Sequence, residues 1–160
     1  MDNQDSARAK LDACHYILLT KLEATPSLDL IVHVVEAKVQ DHLVSAPTGI
    51  NSIDDVVGPA YPIVTKEGCS AFTIVFEGYI SFFVTNEFYS VPEDQEDYSR
   101  RLRTYKTSKF LDFVSKRTWA LSAEFEPVVH FGIICEHHVI DVACASEPMI
   151  EHRLVTADDL

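Results

Sequence analysis

Residues 128–144, VVHFGIICEHHVIDVAC, constrain the chain more than any other stretch. Two apolar runs rich in β-branched residues, 128–135 and 139–144, flank the polar triplet Glu136-His137-His138. That pattern predicts a β-hairpin turning through the triplet. The same stretch concentrates His130, His137, His138, Cys135, Cys144 and Asp141, so it also raises the question of a metal or acid–base site.

The remaining elements follow from periodicity and breakers. Leu11, Cys14, His15, Leu18, Leu19 and Leu22 recur at helical spacing behind a possible Asp5 or Ser6 cap, which predicts an amphipathic helix over residues 6–24 ended by Thr25-Pro26-Ser27. LDLIVHVVEAKV, residues 28–39, predicts a strand. Residues 41–69 carry Pro47, Gly49, Gly58, Pro59, Pro62 and Gly68, too many punctuators for long regular elements. Residues 71–91 read as two strands joined at Glu77-Gly78, and residues 101–105 as a short edge strand. Thr107 or Ser108 caps a second helix carrying Phe110, Leu111, Phe113 and Val114; Lys116 and Arg117 suit its C-terminal dipole, and it ends near Thr118. Pro148 precedes a short terminal helix or turn. The order lacks regular βαβ alternation, which predicts a single α+β domain over residues 1–160. It should contain a mainly antiparallel sheet of about five to six strands and two main helices.

Composition narrows the function classes. Thirteen Lys and Arg against 25 Asp and Glu give a formal charge of −12. Such a field repels a phosphate backbone, argues against nucleic-acid binding and favours a basic protein partner. No apolar run approaches a membrane span, and MDNQDSARAK lacks the positive and apolar regions of a secretory signal, so the expected compartment is the cytoplasm. Cys14, Cys69, Cys135 and Cys144 lack CxxC or CxxxC spacing and read as reduced core residues.

No GxSxG elbow, glycine-rich phosphate loop, HExxH or SxxK occurs, so no enzyme, cofactor or metal is expected. The histidines of the hairpin do not share a helical face, although His138, Cys135 and Asp141 could approach across a ladder. The structural reading, turn residues and hydrogen-bonded core histidines, takes precedence there. His15 and His33 read as core or interface histidines. Asn86-Glu87 follows an apolar strand, a place where sheet rims and sites are often found, but a turn plus a solvated carboxylate is the reading that takes precedence.

YISFFVTNEFYS, RTYKTSKFLDFV and HFGIICEHHVIDVACASEP, in that order, resemble a set of short bacterial proteins that share a Y-I-x-[YF]-x-V-x-N-E strand, a Y-x-x-S-[KR]-[FY]-L-D-[FY]-[VI] helix start and an H-[FY]-x-I-x-C-x-[NE]-H-x-[IV]-D-V hairpin. The resemblance covers about residues 79–148. It places Tyr79, Asn86, Glu87, Ser108, Asp112, His130, His138 and Asp141 at the pattern's polar positions and implies a shared fold. In size and acidity those proteins are similar to immunity proteins of bacterial toxin systems.

The function expected on these grounds is a non-enzymatic, acidic, immunity-type protein that binds a basic toxin domain. Glu93, Asp94, Glu96 and Asp97 are its preferred contacts, Asp54 and Asp55 come second, and Tyr89 and Tyr98 supply aromatic anchors. The alternative is a metal-binding protein or hydrolase using Glu87, His130, His138 and Asp141.

Overall fold

A computed structural model describes residues 3–45, 58–94, 97–120 and 127–160. Two antiparallel sheets face each other. The first contains β1 (Tyr16–Ala24), β2 (Leu30–Val39), β4 (Ser70–Phe76) and β9 (Met149–Leu154) in that spatial order, with the two-residue β3 (Ile63–Val64) paired to the far end of β2. The second runs β5 (Ser81–Asn86), β8 (His138–Cys144), β7 (Val129–Ile134), β6 (Leu102–Tyr105). Among the described residues two helices complete the α+β architecture, α1 (Asn3–Asp12) and α2 (Lys109–Arg117).

Alternation along the strands builds the core between the sheets. Leu30, Val32 and Val34 of β2 and Phe72, Ile74 and Phe76 of β4 point inward, against Phe131 and Ile133 of β7 and Ile140 and Val142 of β8. Phe76 meets Phe131 across the seam with ring centroids 5.6 Å apart. Helix α1 closes one end with Ala7 and Leu11, and α2 covers the outer face of the second sheet with Leu111 and Val114.

The expected hairpin forms as β7 and β8, with Val129 opposite Cys144 and Ile134 opposite Val139. The second helix begins at its Ser108 cap and ends at Thr118, and β6 is an edge strand. Residues 71–91 give two strands, yet β4 and β5 belong to different sheets. Gly78, at φ +60°, turns the chain from one sheet to the other and donates its N–H to Asp29 Oδ1.

Two expectations fail. Helix α1 stops at Asp12, and residues of the expected helix from Tyr16 onward form β1, which pairs with eight residues of β2. The residue that β1 buries most deeply is Ile17, which lies off the expected helical stripe, while His15 on that stripe is exposed. Helical spacing of leucines is a weak local signal, and pairing with β2 overrides it. Pro148 likewise precedes the strand β9, with a single 3-10 turn, Ala157–Asp159, only after it. With β1, β3 and β9 added, the strands exceed the expected count and divide into two sheets.

Phe131 is 1% exposed at the centre of the seam, where neighbouring strands cannot collapse to fill its volume. Phe131→Ala is expected to lower unfolding free energy by about 3–5 kcal/mol, read as a shifted urea midpoint. A loss under about 1 kcal/mol would place the seam elsewhere.

Candidate functional site

The register of the second sheet sets one row of side chains on its outer face: Phe83, Asp141, Gly132 and Arg103, one from each strand. The next row holds Ser81, Ala143, His130 and Tyr105. Gly132 leaves a gap in the first row, and the Tyr105 ring leans into it; a β-carbon at Gly132 would stand 3.2 Å from Tyr105 Cε2. Tyr105 also stacks on His130 at 4.6 Å, and Phe110 of α2 packs on the same imidazole at 5.0 Å. His130, 1% exposed, is thereby enclosed by two aromatic rings.

A continuous hydrogen-bonded chain runs through this buried imidazole. Ser108 Oγ accepts the Leu111 N–H as the α2 cap at 3.0 Å and lies 2.9 Å from His130 Nδ1. His130 Nε2 lies 2.9 Å from Asp141 Oδ1. With the proton on Nε2, the imidazole donates to Asp141 and accepts from the Ser108 hydroxyl, so each polar atom of the ring has a partner. Asp141 is the solvent-facing end, its side chain 21% exposed.

Asp141 opens into a cleft of about 320 Å³. Its walls include Glu87, Val91, Glu93, Tyr98, Arg101, Arg103, Tyr105 and Asp141. The acidic loop forms one wall and is anchored rather than free. Glu93 accepts the Lys109 N–H at the start of α2 at 3.1 Å, where a carboxylate complements the helix dipole. Lys109 Nζ donates to Pro92 O and stands 3.8 Å from Asp94. Asp97 accepts from the Ser99 amide and hydroxyl and pairs with Arg100 at 3.0 Å; the Ser99 bonds hold its carboxyl below the usual aspartate range. The Arg103 guanidinium sits 5.1 Å above the Tyr98 ring.

The residues singled out in the sequence are thus distributed unevenly. Glu87, Glu93, Tyr98 and Asp141 converge on the cleft, and His130 orients Asp141 from beneath. Tyr89 stands outside the cleft lining, 73% exposed, in an edge-to-face pair with Phe88 at 5.2 Å. Asp94 and Asp97 are exposed on the loop, while Asp54, Asp55 and Glu96 lie outside the described residues. Asn86 caps the 3-10 turn Glu87–Tyr89 by accepting the Phe88 N–H. His33 is half-buried and bonded to Thr73.

The grouping of His138, Cys135 and Asp141 does not assemble. His138 and Asp141 are an odd number of residues apart on one strand and take opposite faces, while Cys135 packs in the core. Among the described residues no three His, Cys, Asp or Glu side chains are grouped to hold a metal ion. All four cysteines are free and buried, and burial pushes the Cys14 thiol up to about 11 and the Cys135 thiol to about 12. Gly132, Arg103 and Tyr105 escaped the sequence analysis, because only the register reveals that they share a face with Asp141.

Compared with known proteins, the chain matches no family model, no curated protein and no solved structure. Among the described residues no helix is long and apolar enough to cross a membrane.

Removing the imidazole leaves Ser108 and Asp141 without their shared partner and opens space between Tyr105 and Phe110. His130→Ala is therefore expected to cost roughly 1–3 kcal/mol of stability. In a double-mutant cycle it should couple to Ser108→Ala by about 0.5 kcal/mol or more. Additive effects in urea unfolding would break the proposed chain of bonds. For the thiols, iodoacetamide at about pH 8 should leave Cys14 and Cys135 unmodified in the folded protein and label them once denatured, since the thiolate is the reactive form; rapid labelling of the native protein would contradict their burial.

Proposed function

We propose that the chain is a non-enzymatic, acidic protein-binding module, and within that class an immunity-type cytoplasmic inhibitor of a basic bacterial toxin domain. The observation that carries the reading is the meeting of Glu87, Glu93 and Asp141 with Tyr98 around one cleft, three carboxylates against the two guanidiniums of Arg101 and Arg103, on a chain of net charge −12. Carboxylates steer a basic partner to the surface, and aromatic anchors hold it there. Exposed Phe88 and Tyr89, 82% and 73% accessible beside the cleft residue Glu87, add anchoring area of the type enriched in interfaces.

Charge reversal tests this reading, and the loop's anchoring decides where. Lysine at position 93 would strip Lys109 of its carboxylate partner, and at position 97 it would free Ser99 and Arg100, so both changes disturb the fold as well as the field. Asp94, whose side chain is 94% exposed, and exposed Glu87 are the cleaner positions. With a basic partner in hand, sought first in the product of the adjoining reading frame, Asp94→Lys with Glu87→Lys should slow association about tenfold at low salt. Raising salt from about 50 to 500 mM should erase most of the difference. An association rate indifferent to both changes removes this surface as the recognition site.

A second reading, hydrolysis through Ser108, His130 and Asp141, is favoured by the two 2.9 Å bonds that link them in series. Three features support binding over hydrolysis. Ser108 Oγ is committed to the α2 cap, the Lys109 N–H that an oxyanion would require is taken by Glu93, and His130 is enclosed by aromatic rings. Turnover of a simple aryl ester that disappears in Ser108→Ala while the melting temperature holds would reverse this preference.

A further inference from the structure

Every open sheet ends in strands whose outer backbone groups invite another strand, and folded proteins block them. Among the described residues four strands end the two sheets: β1, β9, β5 and β6. Three are blocked by different devices. On β6, Asp12 Oδ1 accepts the Leu102 N–H at 3.0 Å, and Arg8 donates to the Leu102 carbonyl at 3.2 Å. On β9, Gln4 accepts the Ile150 N–H at 2.8 Å, and Glu151 and Arg153 add charge. On β1 the register shifts between Leu19 and Lys21, and Lys21 and Glu23 are charged.

β5 carries none of these. Its sequence, SFFVTN, holds no charge and no proline, and its register against β8 is unbroken from Ser81 to Asn86. Among the described residues nothing bonds to its outer edge. It exposes Phe83 at 56% and Val84 at 39%, and the exposed pair Phe88–Tyr89 follows directly.

We propose that the outer edge of β5 receives an extended basic segment of the partner by antiparallel or parallel strand addition, an inference that rests on the protein-binding reading above. Main-chain bonds would supply affinity and the side chains of Phe83 and Val84 would supply contact area. Charge selects the occupant. Exposed Glu77 and Glu87 bracket the strand, so a segment with cations at both ends satisfies both. A second copy paired antiparallel over Ser81–Asn86 would bring the exposed Glu87 of each chain to the start of the other's strand, on two chains each at −12.

The probe is a synthetic peptide of about ten residues, lysine-ended around an alternating valine–threonine run, with two controls of the same core: one glutamate-ended, one N-methylated at alternate amides. The readout is amide hydrogen exchange across Ser81–Asn86 by NMR. The lysine-ended peptide should slow the exchange of these amides by roughly tenfold or more, and neither control should. Phe83→Lys, which places a gatekeeping charge on a half-exposed position, should abolish that protection. Protection confined to residues 92–98, or equal binding by the N-methylated peptide, overturns strand addition and leaves the protein-binding reading standing. Absence of protection anywhere overturns strand addition, and the protein-binding reading then stands or falls on the charge-reversal test above. Protection of β5 without peptide, accompanied by dimers in sedimentation, replaces the basic segment with a second copy.

Discussion

The hairpin of β7 and β8 is covered on both faces, and the rest of the structure answers that demand. Its inner face supplies Phe131, Ile133, Ile140 and Val142 to the seam between the sheets, while its outer face lies under α2 and the acidic loop. A hairpin that admits a histidine to such a position must satisfy both ring nitrogens, because an unpaired buried polar atom costs about 1–3 kcal/mol. Ser108 and Asp141 do so, and the same Ser108 hydroxyl starts α2. One side chain thus fixes where the covering helix begins and how the carboxylate in the cleft is aimed.

What could be read from the chain beforehand was what is local. The hairpin, the α2 cap at Ser108 and the corner near Gly78 each depend on a few adjacent residues whose chemistry admits one solution. The burial of His130, flanked by Val129 and Phe131, was equally legible. The failures are those of partner choice. Residues 16–24 carry leucines spaced for a helix, and only the presence of β2 alongside makes them a strand. The cleft was legible in its parts, since Glu87, Glu93, Tyr98 and Asp141 are polar or aromatic residues set in or beside apolar strands or the acidic run. Their convergence was not, because it depends on Gly132 facing Asp141 and Arg103 across two ladders, a relation with no signature along the chain.

The acidic loop shows how composition and structure assign different duties to the same charges. A run of carboxylates reads as a solvated, repulsive tract, yet Glu93 is spent on the start of α2 and Asp97 on shaping its own turn. Glu93 keeps its charge while it caps the helix, whereas Asp97 shares its field with Arg100 at 3.0 Å. The loop, by holding Lys109, also ties the cleft wall to the helix that packs on His130.

Helix α1 lies at the start of the chain, but the strand edges it seals come late. Gln4 meets Ile150 across 146 positions, and Arg8 and Asp12 meet Leu102 across 94 and 90. Separations of that size mean that β6 and β9 have their edges sealed only once α1 has docked against both sheets. A chain in which α1 is held away from the sheets would present one further open edge on each of them, and would trade the folded monomer for association strand to strand.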